Sequence, residues 1–248
     1  MSGRVLILGG TAEARALAAA LDARGVAVVS SLAGRVARPR LPAGEVRVGG
    51  FGGLEALARW LGEHAVAAVV DATHPFAQRI SASAAQAAPA AGVPLLRLER
   101  PGWSERDGDR WRWVDTLGEA AALVPRLGAR AFLTTGRQGL AAFAHDDATW
   151  FLIRCVDPPQ PPLPPRHELL LDRGPYALAG ELSLIDRHGL ELVVTKDSGG
   201  DHTRAKLDAA RERGLPVIVV RRPPRPAVET VATVEAALAW VRTAGRAG

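Results

Sequence analysis

The stretch VAAVVDATHPFA, residues 66–77, indicates how this chain is expected to fold. Its first five residues have the length and valine content of a buried strand in a parallel sheet. A carboxylate, a hydroxyl and an imidazole follow at once, and Pro75 then opens an alanine-rich helical pattern. Ligands bind at the carboxyl ends of parallel strands, so the sequence predicts a ligand site that contains Asp71, Thr73 and His74.

Short apolar runs alternate with helical patterns along the rest of the chain, which is typical of an α/β fold with mostly parallel strands. Strands are predicted at Arg4–Leu8, Ala27–Ser30, Val46–Val48, Val66–Asp71, Pro94–Leu98, Trp111–Val114, Ala131–Thr134, Trp150–Val156, Leu169–Leu171, Leu190–Thr195 and Pro216–Val220. Helices are predicted at Ala12–Arg24, Leu54–Glu63, Phe76–Ala88, Leu117–Leu127, Arg137–Ala144, Pro175–Asp186, Arg204–Arg213 and Val231–Arg242.

The alternation is interrupted between Pro101 and Gly108, where glycine, serine and charged residues cluster. We place a domain connection there and predict domains at residues 1–110 and 111–248. Two sheets with helices on both faces follow, and the cleft between them is the expected active site. Residues 157–165 contain six prolines in nine positions, which predicts a stiff exposed loop that serves either as a spacer or as a lid.

Composition narrows the class of protein. No apolar run approaches the roughly 20 residues that span a bilayer, and the first residues show no signal peptide, so we expect a soluble cytoplasmic protein. Cys155 is the only cysteine, which excludes a disulfide within the chain and a multi-thiolate metal site. Aromatic residues make up 5% of the chain and no RNA-binding motif occurs, so the net charge of +5 does not by itself indicate nucleic acid as a partner.

A glycine turn closes the first predicted strand. Gly9, Gly10 and Thr11 open the following helix, where backbone N–H groups at a helix N-terminus point toward any ligand. The dinucleotide fingerprint G-x-G-x-x-G is incomplete, because Ala14 or Arg15 occupies its later position. The turn on its own therefore predicts a phosphate site without naming the ligand.

The end of the second strand points to the coenzyme. A protein that selects NAD usually places an acidic residue there, against the ribose hydroxyls. Here Ser30 and Ser31 stand at the strand end, and Arg35 and Arg38 follow. Hydroxyl and guanidinium groups suit a 2′-phosphate, which favours NADP over NAD. The alternative, that the two arginines are solvated loop charges, stays open.

Cations gather at corresponding strand ends in the second half. The segments TTGRQ (134–138) and TKDSGG (195–200) each place a hydroxyl, a cation and a glycine after an apolar strand. Arg154 lies inside an apolar strand, which is costly unless a carboxylate of the protein or of a ligand pairs with it. Arg204 and Lys206 follow the second segment at the start of the next predicted helix, and Arg221 stands at the end of the last apolar strand. This edge is expected to bind a molecule with several carboxylates or phosphates.

Four segments together resemble the precorrin-6A reductase and cobalt-precorrin-6A reductase family of cobalamin biosynthesis. They are GGT with Glu13 and Arg15 (9–15), DATHPFA (71–77), TTGR (134–137) and VTKDSGG (194–200). The resemblance implies reduction of one double bond of precorrin-6A with NADPH, which gives precorrin-6B. It also implies two Rossmann-like domains, the first for NADPH and the second for the tetrapyrrole, between which terminal strands can be exchanged.

The resemblance assigns residues to each ligand. The coenzyme site is expected to contain Gly9, Gly10, Thr11, Ser30, Ser31, Arg35, Asp71, Ala72 and Thr73. The substrate site is expected to contain His74, Arg79, Thr135, Arg137, Arg154, Lys196, Ser198, Gly199, Gly200, Arg204, Lys206 and Arg221. His74 is also the candidate catalytic acid, because histidine titrates at about pH 6.5, although carboxylate binding or strand capping explains it equally well.

Other functions remain as alternatives. No motif tells whether the substrate carries cobalt, and a corrinoid carrier without catalysis fits the same residues. A short-chain dehydrogenase needs tyrosine and lysine four residues apart, but Gly180 stands four residues after Tyr176, the only tyrosine. The histidines show no metal-ligand spacing, so no metal is predicted. The expected partner is the tetrapyrrole, with transfer of the product to the next enzyme of the pathway, and no membrane is expected.

Overall fold

The computed structural model of the protein describes residues 3–34, 39–201 and 203–244. The chain forms two compact units, one built from Met1–Pro101 with Pro223–Gly248 and the other from Gly102–Arg222. Each contains one six-stranded sheet. This division differs in two ways from the predicted one, which placed the boundary between residues 110 and 111. The first segment ends at Pro101, and the chain returns to the first unit after residue 222.

In the described residues, the first unit contains six strands and four helices. They are β1 (Arg4–Leu8), α1 (Ala12–Asp22), β2 (Val28–Leu32), β3 (Glu45–Val48), α2 (Leu54–Glu63), β4 (Val66–Asp71), α3 (Gln78–Ala90), β5 (Leu95–Leu98), β12 (Thr230–Val231) and α7 (Val234–Ala244). The strand order is β12-β5-β4-β1-β2-β3, and every pairing is parallel. The carboxyl ends of all these strands therefore lie at one edge.

Both faces of the first sheet are buried, as its valine-rich strands predict. Val5 and Ile7 of β1 belong to a core with α1 and α7, whereas Leu6 and Leu8 belong to a core with α2 and α3. This division follows from the alternation of side chains along a strand. The two cores fix the register of β1 against its neighbours, with Leu8 opposite Asp71 of β4.

The C-terminal segment completes the first sheet. The predicted helix Val231–Arg242 begins later, at Val234, because Thr230 and Val231 pair with β5 as an edge strand. The strand that follows β5 in the sequence, by contrast, belongs to the second sheet. This arrangement is the exchange of terminal strands that the family resemblance implies.

The described part of the second unit contains six further strands and three α-helices. They are β6 (Trp111–Val114), α4 (Leu117–Leu127), β7 (Arg130–Leu133), β8 (Trp150–Cys155), β9 (His167–Leu171), α5 (Leu178–His188), β10 (Leu192–Lys196), α6 (Ala205–Glu212) and β11 (Val217–Val220). The order is β6-β11-β10-β7-β8-β9, again with parallel pairings. The predicted α/β class with two parallel Rossmann-like sheets is confirmed.

One predicted helix of the second unit is wrong. Residues 137–144 contain only a 3-10 helix at Leu140–Phe143. Gly136 and Gly139 have φ angles of +76° and +99°, in the left-handed region where an α-helix cannot continue. The proline-rich segment 157–165 has neither helix nor strand, as predicted. Within the described ranges, no helix has the length and apolar character needed to cross a membrane.

Candidate functional site

The glycine turn after β1 lies at the carboxyl edge of the first sheet. The Gly9 amide donates to the Ser31 carbonyl at 3.0 Å, which joins the ends of β1 and β2. Gly10 has a φ angle of +115°, and a Cβ atom there would meet nothing within 4 Å. The backbone at Gly10 is therefore open to the close approach of a ligand.

Thr11 connects this turn to the turn after β4. As the N-cap of α1, its Oγ1 accepts from the Ala14 amide at 3.1 Å and donates to the Ala72 carbonyl at 2.8 Å. Its hydroxyl hydrogen is thus used inside the protein. Thr11 brings the two turns of the predicted coenzyme site together instead of offering that hydrogen to a ligand.

The two serines at the end of β2 point to opposite faces, because they are neighbours on a strand. Ser31 Oγ accepts from Arg47 Nη1 at 3.3 Å, and the two residues are partners in the β2–β3 register. Ser30 Oγ is buried and has no hydrogen-bond partner among the described residues. Arg35, the predicted cation of this site, and Arg38 lie outside the described residues.

Asp71, which is predicted to contact the coenzyme, forms several bonds within the protein. Its side chain is 1% exposed. Oδ1 accepts from the Thr73 amide at 3.2 Å and from Thr73 Oγ1 at 2.7 Å. Oδ2 accepts from Arg225 at 2.9 Å and lies 3.8 Å from Arg97 Nε. Both carboxylate oxygens are occupied, so Asp71 holds the turn that carries Ala72 and Thr73.

Sequence reasoning missed Arg225. Its guanidinium also pairs with Glu99, donates to Ser81 Oγ, and donates to Thr73 Oγ1 at 3.1 Å. The residue lies in the segment PPRP (223–226), which has no periodic pattern. No local signal identifies it, because its partners are brought close only by the return of the C-terminal segment.

His74 and Arg79 follow the same turn. The Phe76 amide donates to His74 Nδ1 at 3.3 Å. Nδ1 acts as an acceptor in this bond, so a neutral His74 ring carries its proton on Nε2. His74 is half-buried, whereas Arg79 is exposed in the first turn of α3.

The second unit brings its two predicted segments together at the carboxyl edge of its sheet. Thr134 Oγ1 donates to the Val194 carbonyl at 3.0 Å, and Lys196 Nζ donates to the Gln138 carbonyl at 3.2 Å. Thr135 Oγ1 is buried without a hydrogen-bond partner in the described ranges. Arg137 is half-buried on the same loop. The predicted neighbourhood of Arg137 and Lys196 therefore rests on direct contacts between their loops.

The loop at 197–203 is held by residues that the sequence did not indicate. Asp197 Oδ1 accepts from the Trp103 amide at 3.0 Å, and Trp103 Nε1 donates to the Gly200 carbonyl at 2.8 Å. Arg222 Nε lies 3.2 Å from Asp197 Oδ2. Ser198 Oγ and Thr203 Oγ1 are 3.1 Å apart. Trp103 lies in the stretch that interrupts the pattern, where a buried aromatic was not expected.

Arg154, which is predicted as a substrate ligand, pairs with a carboxylate of the protein. Its Nη1 and Nη2 donate to Glu181 Oε1 and Oε2 at 2.6 and 3.2 Å. The guanidinium carbon lies 3.6 Å from the centroid of the Tyr176 ring. Arg154 and Glu181 are 7% and 3% exposed. A signal for this partner was present, because Glu181 precedes the buried Ile185 by one helical turn on α5.

Lys206, which is predicted as a substrate ligand, is 4% exposed and supports the loop that carries Thr203. Its Nζ donates to the Thr203 carbonyl at 2.6 Å and lies 4.7 Å from the centroid of the Trp103 ring. The pKa of Lys206 is lowered to about 7, chiefly by burial and also by the Arg154 charge, while Glu181 opposes the shift.

The remaining predicted cations differ in their surroundings. Arg204 is buried, its Nε lies 3.6 Å from Asp208, and its Nε and Nη2 have no hydrogen-bond partner among the described residues. Arg221 is exposed and lies 3.6 Å from Asp115. Buried guanidinium groups without hydrogen bonds are costly, so Arg204 is suited to receive an anionic group.

The chain is a two-unit, Rossmann-like α/β protein. One parallel sheet carries a glycine turn at its edge, and the other carries a loop with cations. Residues 4–242 match the family model described as Precorrin-6x reductase CbiJ/CobK. The chain belongs to this family, which confirms the family that the sequence indicated. Membership of a reductase family implies a nicotinamide coenzyme.

Individual relatives agree with this assignment. The precorrin-6A reductase of Rhodococcus erythropolis is 58% identical over 98% of this chain and 99% of its own length. A solved structure of CobK precorrin-6A reductase superposes with a TM-score of 0.93, at 42% identity, over 98% of this chain and 97% of that one. The cobalt-precorrin-6A reductase of Priestia megaterium is 32% identical over 88% of this chain and 90% of its own length. These similarities confirm the predicted oxidoreductase activity.

Proposed function

We propose that this protein reduces one double bond of precorrin-6A with NADPH, giving precorrin-6B, during cobalamin biosynthesis in the cytoplasm. The observation that carries the proposal is the joining of three strand ends at one edge of the first sheet. Gly9 bonds to Ser31, and Thr11 bonds to Ala72, so the residues predicted to contact the coenzyme are neighbours. In a member of a reductase family, this edge fits a dinucleotide.

The first unit offers groups for each part of the coenzyme. The open backbone at Gly10 fits the close approach of a pyrophosphate, and the Ser31 hydroxyl fits a group on the ribose. Ala72, Thr73 and His74 would lie toward the nicotinamide, on a turn that Asp71 keeps rigid. When bound, the nicotinamide supplies a hydride to the substrate.

The second unit offers the groups expected for a tetrapyrrole with several carboxylates. Arg137, Lys196 and Arg204 would hold these carboxylates by charge-assisted hydrogen bonds. Their loops are attached to one another and to Trp103, which limits the freedom that binding would remove. The other polar and small groups proposed for the substrate are Thr135, Ser198, Gly199, Gly200 and, from the first unit, His74 and Arg79.

The proposed role of His74 rests on its ring orientation. With Nδ1 accepting from Phe76, Nε2–H of the neutral ring is the donor for a substrate carboxylate or for the reduced carbon. A His74→Gln variant separates the two roles. Loss of carboxylate binding raises KM, whereas loss of proton donation lowers kcat and changes the pH profile.

The direct test is anaerobic mixing of the protein with precorrin-6A and NADPH while the absorbance of the macrocycle is followed. We expect a spectral change that requires a reduced nicotinamide coenzyme and is faster with NADPH than with NADH. Macrocycle binding without any NADPH-dependent change would support a corrinoid carrier and contradict the proposed reduction. A parallel experiment with cobalt-precorrin-6A tests whether the substrate carries cobalt. We expect the cobalt-free substrate to react faster, because this chain is more similar to the precorrin-6A reductase than to the cobalt-precorrin-6A reductase.

Single substitutions test the substrate residues. Replacement of Arg137 or Lys196 by Ala should weaken macrocycle binding and leave NADPH affinity unchanged. Arg187→Ala, an exposed change on α5, is the matched control and should alter neither. Normal macrocycle binding with lost turnover would indicate a chemical role instead.

We also propose that the product passes to the next pathway enzyme, which predicts less free precorrin-6B when that enzyme is present.

A further inference from the structure

A second glycine-rich turn, GGFGG at residues 49–53, follows β3 in the first unit. The Gly49 amide donates to the Leu32 carbonyl at 2.8 Å, so this turn lies beside the end of β2. Gly49 and Gly53 both have a φ angle of +115°, a backbone conformation that is strained for residues other than glycine. A Cβ atom at Gly49, Gly50 or Gly53 would meet nothing within 4 Å. The turn therefore presents open backbone at the proposed coenzyme edge.

The turn also fixes the orientation of the Arg47 guanidinium. Arg47 Nη1 donates to the Gly49 carbonyl and Nη2 to the Gly50 carbonyl, each at 2.7 Å. Its guanidinium carbon lies 3.7 Å from the centroid of the Phe51 ring, which covers one side of the plane. Burial lowers the pKa of Arg47, which means that its charge has lost hydration that an anion would replace.

Arg47 and Ser31 form a joint donor group. Arg47 Nη1 donates to Ser31 Oγ at 3.3 Å, which leaves the Ser31 hydroxyl hydrogen available for another acceptor. Arg47 makes three hydrogen bonds to the described residues, and a guanidinium has five N–H groups, so two donors remain. Ser30 does not share this arrangement, since it points to the opposite face of the sheet.

We infer that Arg47, oriented by the GGFGG turn and paired with Ser31, binds the 2′-phosphate of the coenzyme and determines the preference for NADPH. The inference rests on the proposed function, because it assigns a residue to the coenzyme of that reaction. The end of β2 is where a Rossmann-like sheet contacts the adenosine ribose. A planar guanidinium that keeps two donors beside a hydroxyl suits a phosphate better than a neutral ribose.

The test measures binding of two coenzyme fragments by isothermal titration calorimetry, without any reaction. The probes are 2′,5′-ADP (adenosine 2′,5′-bisphosphate) and 5′-AMP, which differ only in the 2′-phosphate. Arg47→Ala should weaken binding of 2′,5′-ADP by about 10- to 100-fold, as for a lost hydrogen bond to a charged group, and leave the affinity for 5′-AMP within about twofold. The matched control is Arg59→Ala, an exposed arginine on α2, which should change neither affinity.

Further variants keep the inference testable if Arg47→Ala does not fold, which circular dichroism would detect. Arg47→Lys keeps the positive charge but lacks the planar guanidinium with its several donors, so it should recover part of the lost affinity for 2′,5′-ADP. Ser31→Ala should lower the affinity for 2′,5′-ADP alone. An unchanged preference in Arg47→Ala, or an equal loss for both probes, would overturn the assignment while the proposed function stands. A wild-type protein that binds both probes equally would instead overturn the proposed NADPH preference itself.

Discussion

Arg225 Nη2 donates to Asp71 Oδ2 at 2.9 Å, although 154 residues separate them in the sequence. The bond attaches the C-terminal segment to the turn after β4, which carries Ala72, Thr73 and His74. Both side chains are almost fully buried, at 6% and 1% exposed. The turn proposed to lie against the nicotinamide is therefore held by a residue from the far end of the chain.

Replacing Arg225 by Ala should destabilise the first unit. Asp71 and Glu99 would lose a buried cation, and breaking a buried ion pair from one side costs about 3–5 kcal/mol. Hydrogen exchange of a peptide covering residues 66–77 should become faster, because the turn loses its anchor. The control is Arg4→Ala, which removes an exposed pair with Glu45 and should cost less than about 1 kcal/mol. Equal urea midpoints for the two variants would contradict the prediction.

Replacing Glu181 by Ala should destabilise the second unit, because Arg154 would remain buried without its carboxylate. The cost is expected to be about 3–5 kcal/mol. The double variant Arg154→Met with Glu181→Leu should recover most of the loss, since an apolar pair of similar volume avoids the desolvation of two charges. Melting temperatures measure both effects.

The matched control for Glu181 is Asp186→Ala on the same helix, whose ion pair with Arg213 is exposed and should matter little. The double variant should also bind the macrocycle normally, because Arg154 is occupied by Glu181 in the structure. A double variant that is stable but no longer binds the macrocycle would instead support Arg154 as a substrate ligand.

Lys206 should make the stability of the second unit depend on pH. Its pKa is about 7 in the folded chain, and an unfolded lysine has a pKa of about 10.4. Between these values the unfolded chain binds a proton that the folded chain does not, so the free energy of unfolding rises with pH. The slope approaches about 1.4 kcal/mol per pH unit. Below pH 7 the Lys206 contribution is constant, because both states are protonated.

A Lys206→Met variant isolates this contribution. Unfolding midpoints of the two proteins, measured between pH 7 and 9, should show a rise in the wild type relative to the variant. Parallel curves across this range would show that Lys206 keeps its ordinary pKa in the folded protein. The comparison removes other groups that titrate in the same interval, since these are shared by both proteins.

Replacing Trp103 by Phe should weaken macrocycle binding by several-fold while NADPH affinity stays the same. The variant keeps a buried ring but removes the indole N–H that donates to the Gly200 carbonyl, so the proposed substrate loop loses one anchor. Trp113→Phe is the control, since its indole bonds to the exposed Glu105. Binding titrations with precorrin-6A measure both variants, and an equal effect in the control would contradict the loop assignment.

The order of elements could be predicted because it depends on local patterns. Eleven of the twelve strands in the described residues, such as β1 and β4, could be predicted from apolar runs with the length of buried strands. The 3-10 helix at Leu140–Phe143 was missed because periodicity does not report left-handed glycines. The start of α7 was missed because pairing of Val231 with β5 overrides its helical pattern.

The sequence by itself determined the fold class, the family and the edges at which Gly9, His74, Arg137 and Lys196 lie, because strand ends and turns are encoded in consecutive residues. Only the tertiary structure decided which charges face one another. Asp71 meets Arg225, and Arg154 meets Glu181, across long stretches of chain. A buried charge needs a partner wherever the fold brings one close, and sequence order does not specify that distance.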